Sequence, residues 1–150
     1  MGLFYNRKKF IFSNEEEAEI VKAIDSAEDQ TSGEIRVHVE AVCKGDCYER
    51  AKVLFKELGM HRTEQHNGVL FYIAYESHKF AIHADKGINA VVPENFWEAM
   101  KDLLTNHFKK SEFLIGLKEA IRLSGEQLKL YFPHSGEDDR NELSNELSKI

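Results

Sequence analysis

The sequence lacks a long run of apolar residues. No stretch approaches the roughly 20 residues that a transmembrane helix requires. The basic cluster Arg7-Lys8-Lys9 is not followed by the apolar stretch of about 7–15 residues that is typical of a secretory signal. Gly2 does not complete a myristoylation pattern, because Asn6 stands where serine or threonine is required. We therefore expect a soluble, cytoplasmic protein that does not insert into a membrane.

An excess of positive charge is also missing. The chain has 20 Lys and Arg residues against 26 Asp and Glu residues, a net charge of −6 with histidine neutral. The basic residues are scattered along the sequence and form no stripe, so a polyanion would find no cationic surface to bind. We expect no nucleic-acid partner.

Cysteine is scarce, and the two that occur are Cys43 and Cys47. A structural zinc site needs four ligands, and no second Cys or His pair has a suitable spacing. Because there is no secretion signal, a disulfide is not expected either. The sequence predicts two reduced thiols at the start of a helix.

The residues that are present suffice for one globular core. Of 150 residues, 42% are hydrophobic and 11% aromatic, which excludes disordered, collagen-like and fibrous classes and suits a single domain. We predict an N-terminal segment over 1–12, a domain over 13–133, and a polar C-terminal segment over 134–150. The last is expected to dock on the domain, with a mobile tail as the alternative.

Hydrophobic periodicity predicts the order α-β-α-β-β-α-α. A capping-box pattern at Ser13 begins the first helix. Residues 33–42 alternate, which predicts a strand with a polar face that is solvated or half covered. Residues 68–75 are almost all apolar, as in a strand buried on both faces, and 79–84 form the returning strand. Pro93 suits the first turn of the third helix, and the fourth runs from about 112 to 131.

These elements predict a particular architecture. A strand–helix–strand unit makes the first two strands parallel through a right-handed crossover, and the short turn at 76–79 reverses the third strand. Helices then cover both faces of the sheet. The fold class is α/β: a three-layer α/β/α sandwich with a small mixed central sheet of three to four strands.

Three polar segments meet at one end of such a sheet: 28–34, 61–68, and 84–88 with Glu94 beyond. Loops on a rigid sheet are a usual place for function. The carboxylate, amide and hydroxyl oxygens here are the hard ligands that Ca²⁺ or Mg²⁺ prefers. Three histidines in or beside these segments would instead suit zinc or another transition metal: His61, His66 and His83. A solvated loop end without metal is the other interpretation.

Seven short motifs occur in one order between about residues 14 and 147. They are Thr31-Ser32-Gly33-Glu34-Ile35-Arg36-Val37, Asn67-Gly68-Val69-Leu70, Asp85-Lys86-Gly87-Ile88, Phe96-Trp97, Gly116-Leu117, Phe132-Pro133 and Asn141-Glu142-Leu143. Together they resemble the TPM domain family. The resemblance implies an α/β/α sandwich in which two loops cross near one end of the sheet, where divalent cations, notably calcium, bind in some members.

The resemblance implies that the polar loop end is a metal site. Asn67 and Asp85 stand in the Asn-Gly and Asp-x-Gly motifs of the family, and the topology adds Glu34 and Glu94. We expect these four residues to be the metal ligands, for Ca²⁺ first and for Mg²⁺ or Zn²⁺ as alternatives. Two simpler interpretations stand beside this one: Asp85 as a turn former, and an Asn-Gly pair that serves a backbone with positive φ.

The chain also departs from the family pattern. Many bacterial members carry a signal peptide and a membrane anchor, whereas this chain resembles a stand-alone domain. His66 stands where relatives often have an arginine.

The sequence assigns no catalytic residue, because no nucleophile, base and orienting group form a known signature. We expect a divalent-cation-binding domain with a structural or regulatory role. One alternative is a metal-dependent phosphomonoesterase resembling an acid phosphatase, which rests on the resemblance alone. The other is an adaptor domain for an unidentified protein partner.

Overall fold

The computed structural model describes residues 11–134 and 147–149. In chain order the elements are α1 (Asn14–Glu28), β1 (Glu34–Glu40), α2 (Cys47–Glu57), a 3-10 turn (Met60–Arg62), β2 (Gly68–Ala74), β3 (Lys79–Ala84), α3 (Lys86–Asn89), α4 (Phe96–Lys109), α5 (Phe113–Tyr131) and β4 (Ser148–Lys149). The first ten residues and residues 135–146, including the Asn141-Glu142-Leu143 motif, lie outside the described part.

The sheet has the strand order β3-β2-β1-β4. β1 pairs in parallel with β2, with Glu34 opposite Gly68, and β2 pairs antiparallel with β3, with Val69 opposite Ala84. β4 adds two residues in parallel to the outer edge of β1. The predicted mixed sheet and its parallel crossover are confirmed.

Two apolar clusters lie on opposite faces of this sheet. The alternating side chains Ile35, Val37 and Val39 of β1 pack with α1, α4 and α5. On the other face, Leu70 and Tyr72 of β2 pack with α2. This arrangement is the predicted three-layer sandwich. No helix in the described ranges is long and apolar enough to cross a membrane.

The predicted cap of α1 is present. Ser13 Oγ accepts a hydrogen bond from the Glu16 amide at 3.1 Å, and Glu16 Oε1 accepts one from the Ser13 amide at 3.0 Å. Two backbone donors at the helix start are thereby satisfied.

The prediction of two reduced thiols was wrong, because the structure joins Cys43 and Cys47 in a disulfide. The turn between them passes through Gly45, which has φ +79°. That turn brings the two Cα atoms to 6.0 Å, within the usual range for a disulfide. The absence of a secretion signal says nothing about the distance between two cysteines across a turn, which is why the disulfide was not predicted.

The start of the third long helix was also predicted too early. α4 begins at Phe96, whereas residues 93–95 form a turn in which the Phe96 amide donates to the Pro93 carbonyl at 3.0 Å. Upstream, where a loop was expected, the four residues Lys86–Asn89 form α3.

Three of the four polar side chains on the alternating face of β1 are buried and Arg36 is partly buried, although the alternation suggested a solvated or half-covered face. Glu34, His38 and Glu40 are exposed by 3%, 2% and 5%. Buried polar groups of this kind are stable only with hydrogen-bond partners, and for Glu40 these come from α2 and β2.

Candidate functional site

Two loops cross at the end of the sheet where β2 begins and β3 ends. The carbonyl of His66 accepts hydrogen bonds from the amides of Gly87 at 2.8 Å and Ile88 at 3.3 Å. A Cβ on Gly87 would lie only 2.1 Å from the Gln65 carbonyl oxygen. The crossing therefore depends on a glycine at position 87, because no side chain fits between the two backbones.

The third polar segment, before β1, joins the same crossing. Ser32 Oγ donates to Gln65 Oε1 at 3.3 Å and accepts from Asn67 Nδ2 at 3.2 Å. The Glu34 amide donates to the Asn67 carbonyl at 3.4 Å. All three segments that the topology was expected to gather are thus in contact.

Asn67 is the most deeply buried polar residue of the crossing, with 1% exposure. Its backbone amide donates to Thr63 Oγ1 at 3.2 Å. Its side-chain Oδ1 is buried and has no hydrogen-bond partner within the described residues. An unpaired buried oxygen of this kind typically costs about 1–3 kcal/mol.

The interpretation that the Asn-Gly pair serves a backbone with positive φ was wrong. The positive φ of this loop, +52°, belongs to His66, and neither Asn67 nor Gly68 has one. The asparagine side chain therefore needs another explanation.

The two carboxylate oxygens of Asp85 differ in their hydrogen-bond partners. Oδ1 accepts from the Lys86 amide at 2.8 Å and caps α3, which is the turn-forming role that the sequence suggested. Oδ2 is buried and has no hydrogen-bond partner in the described ranges. His66 Nδ1 lies 3.5 Å from this oxygen.

Glu34 and Asp85 lie on either side of Gly68. Glu34 is opposite Gly68 in the parallel pairing of β1 with β2, and the Asp85 amide donates to the Gly68 carbonyl at 2.9 Å on the other edge. Alternation along the strands directs Glu34 toward the face that α2 covers.

Glu94 is not brought into this group. It is exposed between α3 and α4, and among the described contacts no hydrogen bond or ion pair joins it to Glu34, Asn67 or Asp85. Its role as a ligand stays a prediction.

One of the three histidines considered for a transition metal, His83, contacts aromatic side chains. His83 packs edge-on against Phe55, with ring centroids 4.6 Å apart, and its Nδ1 lies 3.2 Å from the Tyr48 hydroxyl. Burial, the largest influence, lowers the pKa of His83. In residues 11–134 and 147–149, no three His, Cys, Asp or Glu side chains are close enough to hold a metal ion.

A second polar cluster, which the sequence did not predict, lies beneath α2. Arg50 donates from Nε to Glu40 Oε2 at 3.0 Å and from its terminal nitrogen to Oε1 at 2.9 Å. The Tyr72 hydroxyl also donates to Glu40, and His38 Nε2 lies 3.4 Å from Oε1. Burial alone would raise the pKa of Glu40, but hydrogen bonds from Arg50, Tyr72 and His38 outweigh it and lower the pKa to about 2.

The model of the TPM domain matches residues 6–127 of the chain. Among solved structures, the BA42 protein from the psychrophilic bacteria Bizionia argentinensis is 42% identical, with a TM-score of 0.87; the match covers 97% of this chain and 100% of that one. None of the curated proteins compared with the chain matches it.

Two more distant structures resemble the chain in fold alone. The N-terminal domain of a P. gingivalis protein is 17% identical, with a TM-score of 0.66 and coverage of 83% of this chain and 82% of that one. The N-terminal domain of the cg2496 protein from Corynebacterium glutamicum is 14% identical, with a TM-score of 0.62 and coverage of 78% and 74%.

Proposed function

The chain belongs to the TPM domain family, and from that premise we propose that it binds a divalent cation, Ca²⁺ in the first place, where its loops cross. The role of the cation is structural or regulatory. One observation carries the proposal: Asn67 Oδ1 and Asp85 Oδ2 are both buried and both lack a hydrogen-bond partner in the described part of the chain.

The chemistry of these two oxygens suits a hard cation. Ca²⁺ takes six to eight oxygen ligands, which include carboxylates, asparagine amides, backbone carbonyls and water. Coordination would compensate the desolvation of both oxygens, which accept no hydrogen bond within the described residues. Glu34 supplies a further carboxylate beside Gly68, and Glu94 a more distant one. Zn²⁺ fits less well, because it favours nitrogen and sulfur ligands.

A cation at this place would connect the three polar segments 28–34, 61–68 and 84–88. A ligand that binds only the folded form stabilises it by RT ln(1 + [L]/Kd), about 2.7 kcal/mol at a hundredfold excess over Kd. Local opening of a segment is opposed by a ligand that this segment holds, so the gain should concentrate in the crossing loops.

We expect Ca²⁺ to raise the melting temperature of the protein by about 5–10 °C at a hundredfold excess over Kd. Removal of the cation with EDTA should accelerate amide hydrogen exchange in residues 60–68 and 84–94 more than in the strands. A melting temperature indifferent to Ca²⁺, Mg²⁺ and Zn²⁺, with unchanged exchange in both loops, would refute the metal site.

Two matched variants locate the effect. Asp85→Asn should abolish most of the calcium-dependent gain yet leave the metal-free melting temperature nearly unchanged, because an amide oxygen can still cap α3. The control is Asp46→Asn, which alters a carboxylate that caps α2 in the same way, through the Tyr48 and Glu49 amides. Asp46→Asn should keep the full calcium gain; equal losses in both variants would count against Asp85 as a ligand.

We expect no efficient hydrolysis of simple phosphate esters, because the sequence contains no complete nucleophile–base signature. Steady-state assays with p-nitrophenyl phosphate, in Ca²⁺, Mg²⁺ or Zn²⁺ and in EDTA, measure this. Robust activity that disappears in a folded Asp85→Ala variant would instead make the metal-dependent phosphomonoesterase the preferred function.

A further inference from the structure

The outer edge of β1 carries a very short strand. β4 consists only of Ser148–Lys149, and it pairs with β1 through His38 opposite Ser148 and Val39 opposite Lys149. Two residues of strand pairing hold a chain segment weakly, so a side-chain contact at this place has a large influence on docking.

That contact is made by His38. Its Nδ1 lies 2.7 Å from Ser148 Oγ, and the residue is only 2% exposed. On the inner side its ring lies nearly parallel to that of Tyr72, with 10° between planes and 6.0 Å between centroids. The imidazole is therefore enclosed between β4 and the interior of the protein.

The charges around His38 do not compensate a proton on its ring. Glu40 faces Nε2 at 3.4 Å, but its carboxylate already accepts hydrogen bonds from Nε and one terminal nitrogen of Arg50. Burial is the largest influence and lowers the pKa of His38; Glu40 opposes it, while Arg50 and Arg36 add to it.

The other groups that face the ring do not titrate near neutral pH. Glu40 has its pKa lowered to about 2 and stays ionised. Burial, assisted by Glu40, raises the pKa of Tyr72, which stays neutral. Arg36 and Arg50 stay cationic, and Ser148 does not titrate. His38 is thus the one group in this described cluster whose ordinary pKa lies near neutral pH.

We propose that Ser148–Lys149 is an acid-released strap, which docks on β1 while His38 is neutral and leaves β1 when His38 takes up a proton. Release gives the imidazolium access to water, where its charge is solvated. By linkage, the state that binds the proton more tightly is populated as pH falls. Release also uncovers backbone groups at the edge of β1, which can then pair with another strand.

The test is amide hydrogen exchange of the full chain, followed by NMR from pH 7.5 to pH 5.0 and corrected for the intrinsic pH dependence of exchange. Protection of Ser148 and Lys149 against exchange should decrease once the pH drops below 6.5, the ordinary pKa of histidine. The decrease should be at most about tenfold per pH unit, because one proton is linked to release. Protection in β2 should stay constant. Protection at positions 148 and 149 that is unchanged down to pH 5.0 would overturn the proposal.

His38→Gln removes the charge change but keeps a side chain that can hydrogen-bond Ser148. Its protection at positions 148 and 149 should be independent of pH. The matched control is His107→Gln, at a histidine that pairs with Glu112 at 2.9 Å on another part of the surface, and it should retain the acid-induced loss. The same loss in His38→Gln would assign the release to another group.

The ring of His38 in the unmodified protein supplies a measurement that needs no variant. Its NMR titration should have the same midpoint as the loss of protection at Ser148 and Lys149. Protonation of the ring without release, or release without protonation, would each contradict the proposal.

Discussion

Glu40→Ala is expected to lower the free energy of unfolding at pH 7 by about 3 kcal/mol, measured by urea denaturation. The substitution removes the acceptor of two Arg50 hydrogen bonds and of the Tyr72 hydroxyl at a site where Glu40 is 5% exposed. The Arg50 side chain is 33% exposed, so water recovers part of the loss, which places the expected cost at the low end for a broken buried pair.

The matched control for this prediction is Glu19→Ala. Glu19 accepts from Lys118 at 2.9 Å, but both side chains of this pair are about half exposed. Exposed ion pairs contribute about 0–1 kcal/mol, so this variant should remain close to the unmodified protein. If Glu40→Ala costs no more than Glu19→Ala, the buried cluster does not stabilise the fold.

The same prediction has a pH signature. The pKa of Glu40 is lowered from 4.5 to about 2 in the folded protein. The corresponding stabilisation is fully present above pH 4.5 and is lost as pH falls toward 2. The difference in unfolding free energy between the unmodified protein and Glu40→Ala should therefore shrink across that interval.

The sheet could be predicted because its signals are local. The alternation of β1, the apolar run of β2 and the short turn before β3 each occupy ten residues or fewer, and the crossover rule then gives the topology. The start of α4 was misplaced because a proline is equally suited to a turn and to a first helical turn. The four residues of α3 are too few for any periodicity to appear.

The site was predictable only to the level of segments. Topology brought the regions of Glu34, Asn67 and Asp85 together, but no spacing in the sequence reveals which side-chain oxygens lack a partner. The Glu40–Arg50 pair was missed for a related reason. It connects a strand to the crossover helix ten residues later, and a separation of that length follows neither the helical nor the strand period.

The close contact between the two crossing loops can be tested at Gly87. Gly87→Ala should weaken Ca²⁺ binding, measured by isothermal titration calorimetry, by at least about tenfold, and should destabilise the metal-free protein by about 2 kcal/mol. The new Cβ would lie 2.1 Å from the Gln65 carbonyl oxygen and 2.5 Å from that of His66. Both are backbone atoms that cannot rotate away, so the loops must separate and move Asn67 away from Asp85.

An opposing effect is too small to reverse this result. Alanine is favoured over glycine within a helix by about 1 kcal/mol, whereas overpacking a close contact costs about 1–3 kcal/mol and more when backbone must move. Lys86→Ala provides the control, because it places alanine in the same short helix at an exposed position and adds nothing between the loops. It should keep calcium binding. If the Gly87→Ala variant binds calcium as tightly as the Lys86→Ala variant, calcium binding does not depend on the crossing of the two loops.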